Sequence, residues 1–95
     1  MRMRNFFYRV KQGDTVISLS KKFSVPIGVL IYENNLKRDV FEGDVLFVPK
    51  MMGKPYIIKA NDNAKTLAKE FCVSEEELLY KNKSPYFFYG EIIYI

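Results

Sequence analysis

Tyr8-Arg9-Val10-Lys11-Gln12-Gly13-Asp14-Thr15-Val16-Ile17-Ser18-Leu19-Ser20-Lys21-Lys22-Phe23 decides the fold, because the chain writes it a second time. Moved along by 48 positions, Tyr8 falls on Tyr56, and residues 8–35 align with 56–83 without a gap. Ten of those 28 pairs are identical, from Tyr8/Tyr56 and Asp14/Asp62 through Phe23/Phe71 to Asn34/Asn82. Ordinary residue frequencies would give roughly two. After one deleted residue the match resumes at Phe41/Phe88 and Gly43/Gly90. A period of this length marks copies of one small supersecondary unit.

Within each copy the local signals are consistent. Tyr8 to Lys11 alternates apolar and polar, as a half-buried strand does. Gly13-Asp14-Thr15 turns the chain. Gly13 takes a left-handed conformation at little cost, and Asp14 or Thr15 caps the following helix. Val16, Leu19, Ser20 and Phe23 share one helical face, and Ala64, Leu67, Ala68 and Phe71 repeat it. A second helix opens near Pro26, where the first turn has no use for the missing N–H. Its counterpart opens with Ser74-Glu75-Glu76-Glu77, which has capping-box spacing and acids that suit the macrodipole. The buried face of this helix is expected at Ile27, Leu30 and Ile31, and at Leu78 and Leu79 in the second copy. Asn34 and Asn82 mark its ends. Gly43 to Val48 and Gly90 to Ile95 are β-branched and aromatic runs that read as closing strands, with Leu46, Val48, Ile93 and Ile95 inward. The fold class is α+β: two βααβ repeats, each a two-stranded antiparallel sheet with two helices on one face. The expected layout is an N-terminal extension 1–7, a first repeat 8–50, a short linker 51–55 and a second repeat 56–95.

Composition bounds the chemistry. Each copy is near the lower size limit for folding without disulfides or metal. The chain has one cysteine and no histidine, so it has no internal disulfide and no Cys/His metal cluster. Cys72 aligns with Ser24 and reads as a small buried residue. Without histidine there is no Ser–His or Cys–His pair, and small repeats leave little room for two carboxylates across a cleft. The expectation is a non-catalytic protein with no cofactor and no metal. The net charge of +4 has acids spread through it, which does not form the basic face of a specific nucleic-acid binder. No apolar run reaches signal-peptide or membrane-span length. The expected location is therefore synthesis in the cytoplasm, with any wall or spore-envelope association reached without a leader.

The joint pattern Tyr8, Val10, Gly13-Asp14-Thr15-Val16, Leu19, Phe23, Val25, Leu30, Asn34-Asn35-Leu36, Gly43-Asp44, Leu46 and Val48-Pro49 resembles a LysM repeat. The second copy resembles the same family more loosely. It has Asn61-Asp62-Asn63 in place of Gly-Asp-Thr and lacks the closing proline. The resemblance implies a βααβ fold and binding of N-acetylglucosamine-containing glycan such as peptidoglycan or chitin. It places a ligand groove between Gly13, Asp14, Thr15 and Val16 on one side and Asn35, Leu36, Lys37, Arg38, Asp39 and Val40 on the other. A second site would use Asn61, Asp62, Asn63 and Ala64 with Ser84, Pro85, Tyr86 and Phe87. Such a trough needs main-chain amides, a few polar groups and a small apolar floor.

Each candidate has a plainer reading. Asp14 and Asp62 also suit helix caps, and Lys37-Arg38-Asp39 is either a solvated loop or a partner for carboxylates on a wall polymer. Phe6-Phe7-Tyr8 and Tyr86-Phe87-Phe88-Tyr89 either stack on sugars or pack against protein. Two functions stay open: a glycan-binding module, most directly for bacterial peptidoglycan, and a structural module of wall or spore-envelope assembly that binds protein or itself.

Overall fold

The computed structural model describes residues 4–95; Met1, Arg2 and Met3, and the leader reading that rests on them, lie outside it. The chain forms two units of identical order. The first is β1 (Phe6–Arg9), α1 (Val16–Phe23), α2 (Ile27–Asn34) and β2 (Val45–Val48); the second is β3 (Pro55–Ile57), α3 (Ala64–Glu70), α4 (Glu75–Lys81) and β4 (Ile92–Tyr94). β1 pairs antiparallel with β2, Phe6 opposite Val48, and β3 with β4, Pro55 opposite Tyr94. The sheet of the first unit starts at Phe6, two residues before the alternation at Tyr8 suggests. Phe6 packs edge-on against Phe23, as Tyr8 does, so the aromatic tail joins the core of its own unit.

The repeated residues do the same work in both units. Thr15 caps α1 by accepting from the Ser18 N–H, while Ser18 Oγ accepts from the Thr15 N–H. Asn63 and Thr66 repeat this reciprocal box on α3. Asp14 and Asp62 are therefore not caps: their carboxylates close the preceding turn. Asp14 accepts from the Lys11 N–H at 2.9 Å and from the Tyr8 hydroxyl at 2.6 Å. Asp62 accepts from Lys59 at 2.8 Å and Tyr56 at 2.7 Å. Gly13 and Asn61 hold φ of +89° and +73° in these turns, a region open to Gly and tolerated by Asn.

Left-handed residues stop the helices at matching positions. Ser24 and Cys72 follow the first helices, and Asn35 and Lys83 follow the second. Cys72 is exposed, contrary to its reading as a core residue, because a left-handed position just past a helix turns its side chain outward. Pro26 is the N-cap of α2 rather than part of its first turn. Ser74 accepts from the Glu77 N–H, the one half of the expected box that is formed.

Each unit has its own core. Val10, Val16, Leu19, Val25, Val29, Leu30, Val40, Leu46 and Val48 fill the first; Ile58, Leu67, Ala68, Leu78 and Ile93 fill the second. Ile31, expected inside, is exposed, and Val29 takes its place on the buried face of α2. Asn34 and Asn82 are more than end markers. The Asn82 side chain accepts from the Tyr94 N–H and donates to the Tyr94 and Leu78 carbonyls, which pins α4 to β4. Asn34 makes the same three bonds to Phe47 and Leu30. Among the described residues no helix is long and apolar enough to cross a membrane.

Candidate functional site

The two units touch along a narrow seam. A side chain at Gly28 on α2 would place its Cβ 2.4 Å from the Lys83 carbonyl and 2.6 Å from that of Asn82. Only glycine permits this approach. The Tyr94 hydroxyl donates to the Ser24 carbonyl at 2.7 Å. Between the inward-facing positions Ile93 and Ile95, Tyr94 belongs to the outer face of its strand, yet it is buried, because the first unit covers that face. Lys83 Nζ lies 3.6 Å from the Tyr80 ring centre and 4.6 Å from that of Tyr32, a cation shared by aromatics of both units.

Beside this seam opens a cleft of about 930 Å³, shared by α1, α2 and the loop after α2 in the first unit and by residues flanking β4 in the second. Asn35, Leu36 and Lys37 line it from one side and Ser84 and Pro85 from the other. The sequence reading assigned these residues to separate sites; the fold turns them toward one space. A smaller hollow of about 360 Å³ lies within the first unit, between the same Asn35–Lys37 loop, Arg38 and Val45.

Gly13, Asp14, Thr15 and Val16 line neither hollow. They meet the other expected wall through Asp39, whose Oδ1 accepts from the Val16 N–H at 2.8 Å and the Val40 N–H at 2.7 Å. One main-chain amide of the expected trough is thus held by the protein's own carboxylate. Arg38 is also committed: it bonds Asp44 at 3.0 Å and lies 4.1 Å from the Phe41 ring centre. Of Lys37-Arg38-Asp39, only Lys37 has the free, solvated character of a loop residue among the described partners.

In the second unit, Asn61 and Asp62 form the turn, Asn63 the cap, and Ala64 is buried. Ser84 Oγ donates to the Tyr86 carbonyl. Tyr86 packs edge-on with Phe88, and Phe87 packs against the core. Among the described residues no carboxylate bridges the corresponding loops, 61–64 and 84–87, of the second unit.

The electrostatics follow these contacts. The Tyr8 hydroxyl and then the Lys11 N–H hold Asp14 below the usual carboxylate range. The Lys59 N–H and then Tyr56 do the same for Asp62, and Tyr56 is itself pushed up to about 12, chiefly by its bond to Asp62. Asp44 is lowered by the Phe41 N–H and by Arg38. Glu91, in the cleft, is raised by burial, against the pull of the Phe88 N–H. Among the described residues no group of three or more His, Cys, Asp or Glu could hold a metal ion.

Residues 8–49 match the LysM domain family. The match runs from Tyr8, within β1, to Pro49 just after β2, and so covers all but the first two residues of the first βααβ unit. The LysM-matched unit is therefore the one that contains the Asp39 tie and the smaller hollow. No curated protein sequence matches the chain. Among solved structures, the spore cortex-lytic enzyme SleL of Bacillus megaterium QM B1551 is 26% identical, with a TM-score of 0.44 over 94% of this chain and 22% of that one. The spore cortex-lytic enzyme SleL of Bacillus cereus is 20% identical, with a TM-score of 0.47 over 98% of this chain and 23% of that one. The chain thus spans less than a quarter of the length of either enzyme.

Proposed function

We propose that this protein is a non-catalytic module that binds N-acetylglucosamine-containing glycan, most directly bacterial peptidoglycan, in a cell wall or spore envelope. The observation that carries the reading is the LysM match over residues 8–49, which takes in both helices and the closing strand of the first unit. The second unit is read as a diverged copy: it keeps the Tyr56–Asp62 turn and the Asn82 bridge but has Asn61-Asp62-Asn63 for Gly-Asp-Thr and no Asp39. The contact surface is assigned to Gly13–Val16 and Asn35–Val40 in the first unit. The second unit would add Asn61–Ala64 and Ser84–Phe87. Shallow sites bind weakly alone, and two linked sites gain through effective concentration when one strand spans both.

Pelleting with purified peptidoglycan and with chitin tests this. Salt-resistant pelleting that soluble chito-oligosaccharide blocks is the expected result. Gly13→Asn probes the assignment: the backbone there is left-handed, which Asn accepts, and nothing lies within 4 Å of the added Cβ. Helicity should persist while retention falls; unchanged retention moves the site elsewhere.

A second reading has one observation in its favour. Tyr80, Tyr86, Phe88 and Tyr89 of the second unit are all exposed, more aromatic surface than its small core uses. A protein-binding or self-associating structural module would present such a surface. Absence of pelleting together with a concentration-dependent sedimentation coefficient would select it.

A further inference from the structure

We infer that the cleft between the units takes a glycan strand that carries carboxylates, so that the pair of units distinguishes an acid-bearing wall strand from a neutral N-acetylglucosamine polymer. This inference rests on the glycan reading above and specifies its ligand. Three observations support it.

The first is size and lining. At about 930 Å³ the cleft is near the top of the roughly 300–1,000 Å³ range of small-molecule sites, and both units build it. Tyr32, Phe88 and Tyr89 line it and are more than half exposed, at 62, 58 and 78%. Their rings offer flat apolar faces with a polar edge, which suits the apolar face of a pyranose ring.

The second is charge. Lys21 and Lys37 from the first unit and Lys83 from the second line the cleft, against one acid, Glu91. The Glu91 carboxylate already accepts from the Phe88 N–H. Lys21 and Lys37 have no ion-pair partner among the described residues, where Arg38–Asp44 is the one salt bridge. A neutral strand makes no use of these ammonium groups. A strand whose N-acetylated sugars bear lactyl and peptide carboxyl groups does.

The third is placement. The close approach at Gly28 and the Tyr94–Ser24 bond bring the two walls together at the cleft's edge. Both units give lysines and aromatic rings to the cleft, so a ligand lying across it meets groups already placed side by side, with less ordering on binding.

The test uses the full chain and two soluble probes of equal sugar number: peptide-bearing peptidoglycan fragments and chito-oligosaccharide. Affinities are measured by titration calorimetry at low and raised salt. The acid-bearing probe should bind about three- to tenfold tighter at low salt, the range expected from one or two exposed ion pairs. Raised salt should erase that margin. Lys21→Glu, an exposed change on α1, should abolish the preference, bringing the acid-bearing probe to or below the affinity of chito-oligosaccharide. Tyr89→Ala, equally exposed, should weaken the acid-bearing probe. Equal affinities for both probes, or a preference that survives both variants, overturns this inference and leaves the glycan reading intact. If neither probe binds, both fall together.

Discussion

The two units share a turn, a reciprocal cap, two left-handed stops and an asparagine bridge, yet they differ in how much each can stand alone. The first has nine buried apolar residues in its core and the Asp39 tie across its loops; the second has five and no tie. The second unit compensates by leaning on the first through Tyr94, Lys83 and the Gly28 contact. Two units can thus share one hydrogen-bonded frame while the one with the smaller core rests on its neighbour, as expected when a unit this small cannot bury enough surface by itself.

The largest expected break in this comparison is Asn82→Ala. The side chain is buried, and its loss strands the Tyr94 N–H and carbonyl away from water. A destabilisation of about 3 kcal/mol is expected from two buried groups left without partners. Asn34→Ala should cost about half as much, because its bridge is partly exposed and water can replace it. Urea unfolding read by hydrogen exchange in each unit checks this. Equal losses would mean that the second unit is not the weaker one.

Next comes Gly28→Ala, where the sign carries the information. In a helix free of neighbours the change stabilises by about 1 kcal/mol through propensity. With backbone carbonyls 2.4 and 2.6 Å from the new Cβ, overpacking of about 1–3 kcal/mol outweighs that gain. The variant should be less stable, and solution scattering should give a radius of gyration larger than that of the unaltered chain. A more stable, unexpanded variant would show that the units do not rest on each other.

Asp39→Ala should follow, at about 1 kcal/mol, confined to the first unit: two N–H groups lose their acceptor, but the site is open to water. Faster exchange at Val16 and Val40 is the direct readout.

Much of this was legible in the chain. The ten identities of the repeat set the two βααβ units, but residue type left the cap open between Asp14 and Thr15, because either side chain can accept from a free helix N–H, and only the geometry assigns it to Thr15. The pairs Tyr8/Tyr56 and Asp14/Asp62 carried a further signal: identical partners six residues apart turned out to be bonded to each other. Asn34/Asn82 carried another, since an amide kept at a buried helix end serves more than termination. The left-handed stops were harder to see, because Cys72 and Lys83 have none of glycine's freedom and are held by their surroundings. The seam was nearly invisible. Gly28 aligns with Glu76, so the repeat argues against a special role there, and period-two alternation puts Tyr94 outside. A pattern read within one unit does not contain the face that another unit covers, and for the same reason the shared cleft was divided between two sites.

The smallest expected effect is acid sensitivity, and it still separates the units. Asp44 and Glu91 occupy the same turn in the two copies, but Asp44 is lowered by the Phe41 N–H and Arg38, and Glu91 is raised by burial. A carboxylate lowered in the fold contributes stability above its unfolded value, and that contribution is lost as pH falls toward the folded one. The first unit loses two such contributions on acidification, from Asp14 and Asp44. The second loses one, from Asp62, while Glu91 works the other way, because its protonated form suits the fold better. Below the ordinary carboxylate range the first unit should therefore lose more of its stability than the second, although it is the sturdier at neutral pH. Asp44→Asn should narrow that gap by removing the Arg38 pair in advance. Unit-resolved hydrogen exchange over an acid series measures this directly. A second unit that softens first on acidification would show that packing, not these carboxylates, governs the acid limb.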